Sequence, residues 1–136
     1  MLWAVIDKHS LNSGLRIIAA DNSNDPLEEV LEVYFTTMLN MLQEKGDLIV
    51  MFFGESQRNP IILQRLIALI QEGVQPLYNF LRTRGIQGEE DLTIAIRNIH
   101  TSVVMYFLLL GRTENDKGEH SRYIHTTVKQ FLKIIS

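Results

Sequence analysis

The sequence predicts an all-α fold, an antiparallel helical bundle in a single domain over residues 1–136. Three observations predict it. Asp25-Pro26 and Asn59-Pro60 each place a side-chain cap before a proline, the local grammar of a helix start. Apolar residues then recur at steps of three and four through the long segments that follow. Only Leu48 to Phe53 has the composition of a strand, and neither flank supplies a partner strand to satisfy its backbone, so it too is expected to be a short buried helix.

The elements follow in chain order. Leu2 to about Ala20 carries Leu2, Val5, Ile6, Leu15, Ile17 and Ile18 at broadly helical intervals, weakened in the middle by Asn12, Ser13 and Gly14. No cap precedes Leu2, so this helix is expected to continue one that lies upstream. Asp21 to Asn24 is a polar linker. Asp25 is expected to cap the next helix, with Pro26 in its first turn and Glu28 placed to close a capping box. Leu27, Val30, Leu31, Tyr34, Met38, Met41 and Leu42 form its apolar stripe, and Gly46 is the expected stop.

Asn59-Pro60 opens a helix whose apolar positions run Ile61, Ile62, Leu63, Leu66, Ile67, Leu69, Ile70, Val74, Leu77, Phe80 and Leu81. Gly73 and Pro76 fall inside it and predict one bent helix or two abutting ones, ending near Gly85 and Gly88. Asp91 to Leu110 is expected as the next helix. Every residue from Val103 to Leu110 is apolar or aromatic, which predicts cover on both sides. After a polar loop, Glu119 to Ile135 carries Ile124, Val128, Phe131 and Ile135 along one seam.

Composition narrows the function classes. At 46% hydrophobic and 21% charged residues the chain is neither disordered nor membrane-like overall. The 13 basic and 16 acidic side chains give a net charge of −3, and the basic ones are scattered, so a nucleic-acid surface is disfavoured. Cysteine is absent, which removes disulfides and thiolate chemistry and is compatible with the expected cytoplasmic location. The longest charge-free stretch, Asn98 to Gly111, has 14 residues, short of the roughly 18 a membrane span needs, and no membrane partner is expected.

Catalytic and metal signatures are lacking. There is no HExxH, no Glu-x-x-His pair and no glycine-rich phosphate loop, so neither an enzyme, a metal site nor a cofactor is expected. Glu28 with Glu32 is read as ordinary negative charge in the first turns of a helix. His120 and His125, five apart, do not share a helix face. His100 lies inside the most apolar helix and needs partners: a pocket ligand or a partner helix supplies them, or it is a core histidine bonded to a backbone carbonyl or a neighbouring hydroxyl. Trp3, Tyr34, Met38, Phe52 and Tyr78 are large side chains that either fill the core or, with His100, line a cavity.

Leu2-Trp3-Ala4-Val5-Ile6, Asp25 to Leu31, Phe52-Phe53-Gly54-Glu55-Ser56, Arg58-Asn59-Pro60 and the final long helix pair stand in an order that resembles the C-terminal effector-binding and dimerisation domain of the TetR family of transcriptional regulators. The resemblance implies a regulatory domain that senses a hydrophobic or aromatic small molecule. The ligand site would comprise Trp3, Tyr34, Met38, Phe52, Tyr78 and His100. It also implies a homodimer through the last two helices, with Val103, Phe107, Leu110, Ile124, Val128, Phe131 and Ile135 at the interface. DNA would be reached only through a preceding helix-turn-helix unit, to which nothing in this chain corresponds. Two other readings remain: a helical protein-interaction module without a small-molecule ligand, and a small helical enzyme. A closed cavity bounded by Tyr34, Phe52, Tyr78 and His100 favours the sensor, and a filled core with an exposed groove favours the module.

Overall fold

The computed structural model describes residues 26–88, 90–111 and 117–135. They form five α-helices and, among these described residues, no strand. The helices are α1 (Leu27–Glu44), α2 (Gly46–Ser56), α3 (Pro60–Thr83), α4 (Glu90–Tyr106) and α5 (Lys117–Ile135), with a π-helical turn, Phe107–Gly111, continuing α4. The segment Leu48 to Phe53 lies in α2 and is helical, as its lack of a pairing strand predicts, but it is not the buried helix expected: of these six residues only Phe52 is buried, and Met51 is exposed.

Helix starts follow the caps in one case and shift in the other. Asn59 caps α3 through its side chain, which accepts from the Ile61 amide at 3.0 Å, and Pro60 occupies the first turn. At α1 the flanking residue is Pro26 itself, with no side-chain cap hydrogen bond, so the helix begins one residue later than the Asp25 cap implies. Asp25 lies outside the described residues, as do Trp3 and the Leu2 to Ala20 segment. Lys45 alone separates α1 from α2.

Pro76 does not divide α3, which runs unbroken through it. The carbonyl that proline deprives of an amide belongs to Glu72, an exposed residue, so water can satisfy it. Beyond α3 the chain reverses at Gly85, whose φ of 84° is the left-handed conformation that glycine adopts without steric cost.

The core lies mainly between α1, α4 and α5, and α3 joins it through its C-terminal half. Val30, Leu31, Tyr34, Phe35, Met38 and Leu39 of α1 face Ile96, Ile99 and Val103 of α4 and Ile124, Val128 and Phe131 of α5 within one continuous apolar cluster. Glu90–Gly111 is 22 residues long and apolar enough to cross a membrane, a property it shares with core helices. Leu92, Ile96, Ile99, Val103 and Phe107 of that stretch are buried inside the bundle.

The π turn corrects the helical reading of Val103 to Leu110. In an uninterrupted α-helix Val103, Phe107 and Leu110 would share one face. The wider turn from Phe107 keeps Phe107 inside but leaves Leu110 57% and Leu109 69% exposed.

Candidate functional site

Of the residues expected at a ligand cavity, Trp3 lies outside the described residues. Tyr34, Met38, Phe52 and His100 are all buried, Tyr34 completely so. Tyr34 and His100 instead satisfy each other. The Ile96 carbonyl can only accept, so the His100 Nδ1–H donates to it at 2.8 Å, and Nε2 accepts from the Tyr34 hydroxyl at 3.0 Å. Phe35 sets its ring edge-to-face against the imidazole, with centroids 5.3 Å apart. Burial lowers the His100 pKa, opposed by the Ile96 hydrogen bond, and burial also raises that of Tyr34. Both groups are therefore neutral structural members of the core. Tyr78 is half-buried and faces a separate surface hollow with Gly88 and Arg97.

The expected dimer residues are likewise used within one chain. Val103, Phe107, Ile124, Val128 and Phe131 are buried in the core cluster, and Ile135 packs against it. The last helix packs on the inner face of α4, while Met105 of α4 and Leu109 and Leu110 of the π turn are exposed. Of the residues assigned to the interface, Leu110 is the one that is exposed.

A mixed-polarity cleft lies where the π turn meets α1, α2 and α5. Its volume is about 740 Å³, and Asn40, Gln43, Lys45, Asp47, Phe107 and His120 are among its walls. Gln43 donates through Nε2 to the Gly111 carbonyl at 3.1 Å, satisfying an acceptor at the end of the π turn. Behind it Tyr106 stacks on Tyr123 at 3.8 Å and bonds Glu119. The π turn that builds this cleft has no signature in an all-apolar run.

A different surface is apolar. Leu63, Ile67, Ile70, Val74, Leu77 and Leu81 of α3 follow one another at steps of four, three, four, three and four, the spacing of a helix-packing seam. Val74, Leu77 and Leu81 are buried in the bundle. Leu63, Ile67 and Ile70 continue the same stripe and are 39%, 40% and 38% exposed. Within the first half of α3 only Ile62 is buried, because that half packs chiefly on the short α2. The spacing was visible in the sequence, but which half would be covered was not.

A third feature is a polar cluster between α1 and α5. His125 Nδ1 lies 2.8 Å from Glu32 Oε1 and 4.0 Å from Glu28 Oε1. The sequence shows the two glutamates one turn apart, but their histidine lies 93 residues from Glu32.

No protein-family model, curated protein or solved structure matches this chain.

Proposed function

We propose that this chain is a helical protein-interaction module whose open half-seam on α3 pairs with the same surface of a second copy. The observation that carries this reading is the half-covered seam itself. One stripe of six apolar residues is closed over Val74, Leu77 and Leu81 and left open over Leu63, Ile67 and Ile70. Burial of Tyr34, Phe52 and His100, together with an open apolar stripe on α3, supports an interaction module.

The second copy is favoured by self-complementarity. In an antiparallel pair about a two-fold axis, Ile67 meets its equivalent and Leu63 meets Ile70 of the other chain. Gln64 and Gln71, which flank the stripe, are uncharged, so two copies bring no like charges together. Sedimentation equilibrium tests this pairing. The expected mass is twice the 15.7 kDa of the chain, and Ile67→Asp is expected to return it to one chain mass with an unchanged far-UV spectrum. A concentration-independent single chain, or an Ile67→Asp variant that still dimerises, would overturn it.

The sensor reading drawn from the TetR resemblance, with dimerisation through the last two helices and a small-molecule effector, is favoured by one observation. The cleft beside the π turn, at about 740 Å³, falls in the size range of small-molecule sites. Thermal-shift screening of apolar and aromatic compounds checks it, with Gln43→Ala expected to abolish any response that arises in that cleft.

A further inference from the structure

We infer that Glu28, Glu32 and His125 form a binding site for a divalent transition-metal ion of the zinc type, which clips α5 to α1. The three side chains come from two helices, and their ligand atoms lie within 4.8 Å of one another. Ligands about 2.0–2.2 Å from a tetrahedral ion sit roughly 3–4 Å from each other. The 2.8 Å and 4.0 Å separations from the imidazole nitrogen therefore need only small side-chain rotations to admit one.

Charge supports a cation. Glu28 and Glu32 stand one helical turn apart, an arrangement that is mutually repulsive. Among the described residues neither has a lysine or arginine within ion-pair distance, so the histidine is their only ion-pair partner. The imidazole is already turned toward the carboxylates by its hydrogen bond to Glu32. All three side chains are partly open to solvent, at 43%, 32% and 51% exposure, which gives an ion a path in and leaves a fourth position for water.

The donor set selects the ion. One nitrogen with two carboxylates suits zinc, cobalt or nickel, whereas calcium and magnesium take oxygen ligands alone. The sequence hides this site because its nitrogen and its carboxylates sit at opposite ends of the chain. Bound metal would join α1 to α5 at the surface above the Val30 and Val128 layer, independently of any pairing through α3.

The chelator-treated 136-residue chain, titrated with zinc, tests the site by thermal unfolding, and cobalt reports coordination through its visible absorption. The expected result is a zinc-dependent rise in Tm of several degrees and a cobalt spectrum that includes a nitrogen ligand. Both are expected to vanish in His125→Ala and Glu32→Gln, with metal-free far-UV spectra unchanged since these residues lie at the surface. Magnesium is expected to produce no shift. No zinc response in the parent chain, an equal response in His125→Ala, or a magnesium response as large as that of zinc would each overturn the assignment.

Discussion

The layer between α1 and α4 and the first half of α3 are made of similarly apolar sequence and have met different ends. Around Phe35, Ile96 and Val103 every direction is occupied, and even the polar Tyr34 and His100 find partners inside it. Along Leu63, Ile67 and Ile70 the helix is backed on one side by α2 and, among the described residues, stays more than a third exposed on the other. Apolar periodicity thus sets which face of a helix seeks cover, while the lengths and directions of neighbouring helices determine how much of that face receives it.

Substitutions can break or sharpen this contrast, and the largest effect is expected in the closed layer. Phe35→Ala removes a fully buried ring and should cost about 3–5 kcal/mol in urea unfolding. A loss below about 1 kcal/mol would show that the layer is not the principal core.

Tyr34→Phe is expected to be next, at about 1–3 kcal/mol, because it strands the buried Nε2 of His100 without a donor. The same pair predicts a pH dependence. The folded His100 pKa lies below 6.5, so the unfolded chain binds the extra proton first as pH falls. The stability linked to neutral His100 is therefore complete above about pH 6.5 and is lost as pH drops through that value toward the folded pKa. Urea midpoints measured between pH 8 and pH 5 check the sign, and the His100→Asn variant should lose this component.

Helix ends should respond less. Asn59→Ala removes the α3 cap and is expected to cost about 1 kcal/mol. Gly85→Ala places a side chain at a φ of 84° and should cost about 1–2 kcal/mol through backbone strain alone, since nothing lies within 4 Å of the added Cβ. Equilibrium unfolding of both variants separates a capping effect from a conformational one.

The smallest effect is expected in the open half-seam. In dilute, monomeric chain Ile67→Ala should change stability by about 0.5 kcal/mol or less, and amides of α2 and the first half of α3 should exchange faster than those of α1 and α4. Protection in α3 that rises with protein concentration would locate the self-association there. Uniform protection at all concentrations would erase the contrast between the two regions.

Sequence alone determined the helical class, the α3 start at Asn59-Pro60, the stop at Gly85 and the inward stripes of α1, α4 and α5. These rest on interactions within a few residues, where capping, backbone conformation and helical periodicity act. Tertiary structure decided the rest. It paired Tyr34 with His100 across 66 residues, so side chains expected to hold a ligand hold each other. It folded α5 over Val103 and Phe107, turning residues expected between two chains into the core of one. It also widened the helix at Phe107 to swing Leu110 outward, and it brought His125 to Glu28 and Glu32. Each outcome depends on which distant surface reaches a side chain, and local spacing fixes a side chain's direction without fixing its neighbour.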